Sequence, residues 1–191
     1  HPIERYPCKT QAWPAGASQS YKYMDEHIDF FNNLDENIQK NFIFRVSKSA
    51  DDLYKTNYID RIKKSFPNIE IDTRNLKLLK QLNRCKLACS PYNSTSYLQT
   101  LLMNYPTMIF WNNKYFELRE TSIKYFDKLK SAGIFHTSAI SASNHINLVW
   151  GDIDTWWRSD KVQETRKFFC DRYARIKNNK IYELNKFIKE I

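Results

Sequence analysis

The chain has 191 residues, a formal net charge of +9, 42% hydrophobic and 15% aromatic residues, and only three glycines. This length and apolar content suit one domain with its own core and exclude a disordered chain. With Gly16, Gly133 and Gly151 as the only glycines, there is neither a G-x-x-x-x-G-K-[ST] loop nor a G-x-G-x-x-G turn, which argues against P-loop ATP binding and the usual dinucleotide turn.

Residues 1–18 carry Pro2, Pro7, Pro14 and Gly16 and read as an irregular lead-in. The opening His1-Pro2-Ile3 has no basic, then apolar, then small-residue signal, and suggests a longer protein that has been cut. Tyr21, Met24, Ile28, Phe31 and Leu34 are spaced as on a helix. Strand and helix then alternate. Strands are expected at Asn41–Val46, Ile69–Ile71, Leu87–Cys89, Thr107–Phe110 and Ile134–Phe135. Helices are expected at Tyr58–Phe66, closed by Pro67, at Leu76–Leu82, at Ser94–Asn104, at Phe116–Ala132, closed by Gly133, and at Ser141–Trp150. Two further helices, about 160–176 and 179–190, end the chain. About five alternations with short connections predict an α/β fold: a Rossmann-like, doubly wound parallel sheet with helices on both faces. The expected organisation is a lead-in and N-terminal helix over 1–40, the Rossmann-like domain over 41–158, and closing helices over 159–191.

In such folds ligands bind beyond the carboxyl ends of the strands. The segment Leu87-Ala88-Cys89-Ser90-Pro91-Tyr92-Asn93-Ser94-Thr95-Ser96 is an apolar strand running into a polar turn that opens a helix. Ser90, Asn93, Ser94, Thr95 and Ser96 bring five polar side chains to a helix start, where free N–H groups and the dipole favour an anion without a glycine loop. Plain capping by Asn93 or Ser94 is the competing reading. Arg45 follows the first strand, with Ser47 and Lys48 near it, and is placed for a two-pronged phosphate contact. Trp111 follows the fourth strand and is a candidate stacking ring, with Asn113 beside it. Glu117 and Glu120 open the next helix as candidate ribose acceptors, and His136 is a candidate phosphate contact or proton carrier. No pair of catalytic groups is evident by spacing, which is what a donor-binding half would show if its catalytic carboxylate lay on another domain.

Asn93-Ser94-Thr95-Ser96-Tyr97-Leu98-Gln99-Thr100-Leu101 and Asn104-Tyr105-Pro106-Thr107-Met108-Ile109-Phe110-Trp111 resemble the C-terminal signature of transferases from O-antigen and other surface-carbohydrate gene clusters. Gly133-Ile134-Phe135-His136, Trp156-Trp157 and the stretch from Val162-Gln163 to Tyr173-Ala174 resemble it too, so the similarity spans about 41–176. The resemblance implies the C-terminal, donor-binding half of a two-Rossmann-domain (GT-B) glycosyltransferase, with a CMP- or NDP-linked sugar held at Ser90, Asn93, Ser94 and Thr95. It implies a glycan or lipid-linked acceptor and an N-terminal domain of the same protein that binds it. Where the family usually has Glu, this chain has Gln99, which keeps a hydrogen bond to ribose and loses the charge.

No cofactor or metal is required by this reading, because a helix start and Arg45 neutralise a leaving phosphate. Cys8, Cys85, Cys89 and Cys170 lack the two close pairs of a zinc site and suit a reducing, cytoplasmic setting. No apolar run approaches the roughly 18 residues of a span. Ten Lys/Arg against five Asp/Glu between Arg158 and Ile191 leave room for peripheral contact with an acidic inner membrane face. The alternatives are a sugar-nucleotide epimerase-like enzyme and a non-catalytic basic module. Nucleic acid is disfavoured as a partner, since basic and aromatic residues do not interleave in a binding motif.

Overall fold

The computed structural model describes residues 20–45, 58–72, 77–114 and 116–175. The expectations for the lead-in, for Ser47 and Lys48, and for the helix at 179–190 lie outside the described residues.

Helix α1 (Ser20–Asn32) and the short α2 (Glu36–Gln39) lead into β1 (Ile43–Arg45), α3 (Tyr58–Ser65) and β2 (Glu70–Asp72). Then come α4 (Leu78–Leu82), β3 (Ala88–Ser90), α5 (Thr95–Leu102), β4 (Thr107–Phe110), α6 (Glu120–Ser131) and β5 (Phe135–His136). Helix α7 (Ala139–Val149), a 3-10 turn at Trp150–Asp152, α8 (Ile153–Arg158) and α9 (Asp160–Tyr173) follow. The protein is α/β, with all pairing among the described residues parallel, and the described strands form two small sheets: β1–β2, and β3–β4–β5. Ser90 lies opposite Ile109, and Phe110 opposite His136, so the carboxyl ends of β3, β4 and β5 stand level.

Thr107, Met108, Ile109 and Phe110 are all buried, as expected of a central strand covered on both faces. Successive side chains on a strand point to opposite faces. Ile109 and Trp111 therefore join Tyr97 and Leu101 of α5, Phe126 and Leu129 of α6, and Val162 and Phe169 of α9. Met108 and Phe110 join Phe30 and Phe31 of α1 and Ala139, Ala142 and Ile146 of α7. Phe42, Phe66 and Ile69, which flank the elements of the first sheet, pack on this second cluster, so the two sheets share an apolar layer. Helix α1 fastens them: Phe30 stacks on Phe110 with ring centroids 4.6 Å apart, His27 sits edge-on to Phe44 and Phe110, and Asp25 pairs with Arg61 of α3.

Two helices on this sheet stop in the same way. After α5, Asn104 adopts φ 54°, and the amides of Tyr105 and Asn104 bond the carbonyls of Thr100 and Leu101. After α6, Gly133 adopts φ 73°, and the amides of Ile134 and Gly133 bond those of Leu129 and Lys130. Each is a Schellman stop that turns the chain directly into, or toward, the next strand. Helix α6 starts at Glu120 and not at Phe116: Asn112 Oδ1 accepts the Lys114 amide in a turn, and Phe116 and Leu118 pack on the core as irregular chain. The aromatics there serve burial rather than helical periodicity.

Candidate functional site

The turn between β3 and α5 has the expected form. Ser94 is the N-cap of α5, in extended conformation, and its Oγ accepts the Ser96 amide at 3.4 Å while lying 2.7 Å from Ser96 Oγ. Asn93 Oδ1 accepts the Tyr97 hydroxyl at 2.8 Å, which stiffens the turn from the side. Ser90 is buried and donates to the Tyr92 carbonyl at 3.3 Å. Thr95, Asn93 and Gln99 are exposed. The first three amides of a helix have no partner within it; of these only Ser96's has a side-chain acceptor, and none is found for the Thr95 or Tyr97 amides among the described residues. The elbow therefore combines satisfied side chains with open backbone donors. Capping accounts for Ser94; Thr95 and Gln99 are left to the solvent side, while Tyr97 is buried.

The other sequence candidates divide. Arg45 lies on the first sheet and donates Nη1 to Asp72 Oδ2 at 2.8 Å across the register Arg45–Asp72, on a different sheet from the strand that leads into the elbow. Trp111 is not a platform for a base or sugar: only 1% of it is accessible, and its ring is walled by Phe116, Phe126 and Phe135. Strand alternation decided this, by putting Trp111 on the same face as Ile109. Asn113, Glu117 and Glu120 are exposed around the β4–α6 connection.

Sequence reasoning missed Glu26. It comes from α1 to the carboxyl end of β4, where Asn112 Nδ2 donates to its Oε1 at 3.2 Å. Burial raises its pKa above the ordinary carboxylate value, against a lowering by Asn112 and with a smaller push from Asp29. Nothing local marks Glu26, since it is one of several acids on α1; only the packing of α1 on β4 brings it here.

His136 ends β5 and is buried, with Nε2 3.1 Å from the Gly133 carbonyl and Nδ1 2.8 Å from Ser141 Oγ in the first turn of α7. A carbonyl only accepts, so Nε2 carries the proton; burial pulls the pKa down to about 4, so Nδ1 is a bare acceptor for the Ser141 hydroxyl near neutral pH. His145 of α7 lies beside it, ring centroids 5.2 Å apart, with Trp156 of α8 5.4 Å beyond in an edge contact. These residues line an open cleft of about 460 Å³ that also takes in Lys130, Ser131, Gly133, Ser159 and Lys161. His136 is thus held by protein on both nitrogens, with no contact to the elbow.

The chain is an α/β protein in which a helix start follows the carboxyl end of a parallel strand, a position where folds of this kind can hold an anion. The family model for the LIC12162 family transferases matches residues 1–188, and the chain belongs to that family. It is therefore a member of a transferase family. No curated protein matches the chain, and neither does any solved structure. Among the described residues no helix is long and apolar enough to cross a membrane.

Proposed function

We propose that this chain is the donor-binding half of a GT-B-type glycosyltransferase acting in bacterial surface-polysaccharide synthesis, with a CMP- or NDP-linked sugar as donor. The reading rests on the elbow. Two backbone amides of α5, those of Thr95 and Tyr97, have no acceptor among the described residues at the positive end of the helix, beyond a sheet strand. The coverage of β4 on both faces fits a Rossmann-like, doubly wound arrangement.

In this reading the phosphate nearest the sugar sits on the α5 amides and the Thr95 hydroxyl. As the glycosidic bond to the leaving phosphate breaks, negative charge grows on its oxygens, and donors already fixed in place stabilise that charge without rearranging. Gln99, one turn further along the exposed side of α5, hydrogen-bonds the ribose. The acceptor, and the group that activates it, come from an N-terminal domain. Glu26 supplies an acceptor or, when protonated, a donor at the carboxyl end of β4.

Titration of the chain with CMP, CDP, UDP and GDP, followed by amide chemical shifts, tests the reading. Shifts centred on Ser94–Tyr97 are expected. Ser94→Asp is the discriminating variant, because Asp caps a helix as well as Ser but places a negative charge against the phosphate. It leaves stability unchanged and abolishes the shifts; an unaltered response in Ser94→Asp, or no response to any nucleotide in the parent chain, overturns the site.

A further inference from the structure

The cleft beside β5 is separate from the elbow. Its walls are the end of α6, the first turns of α7 and α9, and Trp156, and they hold Lys130, Ser131, His136, Ser141, His145, Ser159 and Lys161 but no carboxylate. Neither lysine takes part in an ion pair among the described residues. The end of α6 would ordinarily offer bare carbonyls that repel an anion. Here Lys128, Leu129 and Lys130 carbonyls accept the amides of the Schellman stop and the Ser131 hydroxyl, and the Ala132 carbonyl accepts Trp156 Nε1 at 3.2 Å. Most of the carbonyls that end α6 are thus occupied by donors, and no carboxylate among the lining residues pairs with the two lysines.

Its three serines are set the opposite way. Ser131 spends its proton on the Lys128 carbonyl at 2.8 Å, Ser159 on the Trp156 carbonyl at 2.8 Å, and Ser141 on His136 Nδ1 at 2.8 Å. A hydroxyl that has donated its one proton has only lone pairs left to offer. The serine oxygens facing the cleft are therefore acceptors, matched by a ligand that brings O–H groups, while the lysines are donors, matched by a ligand that brings an anion. Trp156, half-buried, adds an apolar wall. The volume, about 460 Å³, falls in the small-molecule range of roughly 300–1,000 Å³.

We infer that this cleft binds a polyhydroxylated anion: a monosaccharide bearing a phosphate or a carboxylate, with its acidic group on Lys130 and Lys161, its hydroxyls on Ser131, Ser141 and Ser159, and its carbon face toward Trp156. The inference does not depend on nucleotide binding at the elbow, and the two are read out at different amides.

The test is titration of the full chain with glucose 1-phosphate, glucuronate, glucose and inorganic phosphate, followed by amide shifts. The first two compounds carry both features and separate a phosphate from a carboxylate; the last two carry one feature each. Shifts at Gly133, Ser141 and Lys161 are expected with glucose 1-phosphate or glucuronate, at least about tenfold tighter than with glucose, which lacks the lysine contacts, or with phosphate, which lacks the serine contacts. Lys130→Ala/Lys161→Ala, on exposed side chains that make no ion pair among the described residues, leaves the fold intact and removes the preference for the acidic sugars. Silence at those amides in every arm overturns the inference, as does equal affinity for phosphate and glucose 1-phosphate, or unchanged affinity in the double variant. Shifts at Thr95–Tyr97 with the cleft silent overturn it too, without touching the elbow.

Discussion

Gly133→Ala is the substitution whose consequence the structure fixes most tightly. Gly133 ends α6 with φ 73°, a conformation that costs a residue with a Cβ about 1–2 kcal/mol. A Cβ there would stand 2.5 Å from His145 Nε2 and 2.6 Å from Cε1, so the ring must retreat. His136 flanks it at 5.2 Å and Trp156 at 5.4 Å between centroids, so the ring can retreat only toward the cleft it lines. Overpacking of this kind costs about 1–3 kcal/mol, which with the backbone strain gives about 3 kcal/mol in total. For a domain of this size that is a fall of about 6–12 °C in Tm. Urea unfolding of Gly133→Ala, His145→Ala and the double variant separates the two parts. In the His145→Ala background the steric part disappears and the glycine replacement costs only about 1–2 kcal/mol. If Gly133→Ala costs less than about 1 kcal/mol, or if the cost is the same with and without the His145 ring, the reasoning from this close approach is refuted.

Trp111→Ala removes the hub of the α5–α6–α9 cluster and should lower stability by about 3–5 kcal/mol in denaturant unfolding. Trp111→Phe should be far milder, because the indole N–H is buried with no acceptor among the described residues and its loss removes an unsatisfied group. Asp72→Asn removes the charge from the Arg45–Asp72 pair in a setting where the carboxylate is 7% accessible, and should cost about 2–3 kcal/mol, measured as a shift in the urea midpoint. His136 has a folded pKa of about 4 against an ordinary 6.5, so above pH 6.5 neither state is charged and it has no effect. As pH falls from 6.5 toward 4, the unfolded state gains the proton first and stability drops, by up to about 3 kcal/mol from this group. His27, held at about 3 by burial, acts in the same direction over a wider range. Imidazole NMR titration should place the His136 midpoint near 4, and a midpoint above 6 contradicts the buried, doubly bonded ring.

Local pattern determined much of this protein. Thr107–Phe110 reads as a covered strand because four apolar or β-branched residues in a row bury both faces, and it is one. Gly133 after Ala132 reads as a helix stop because only glycine enters the left-handed region freely, and Ser94 reads as a cap because its side chain reaches the first turn. These are properties of a few neighbouring residues, and neighbours are what a sequence displays. Tertiary structure decided which face of β4 took Trp111 and so buried a ring that alone looked like a ligand platform. It brought Glu26 to Asn112 over 86 positions of chain, spent Arg45 on Asp72, split the strands between two sheets, and gathered Lys130, Ser141 and Lys161 around one cleft. None of these follows from spacing, because each depends on where a whole helix lands on a sheet, and that is set by the summed burial of many side chains and not by any one of them.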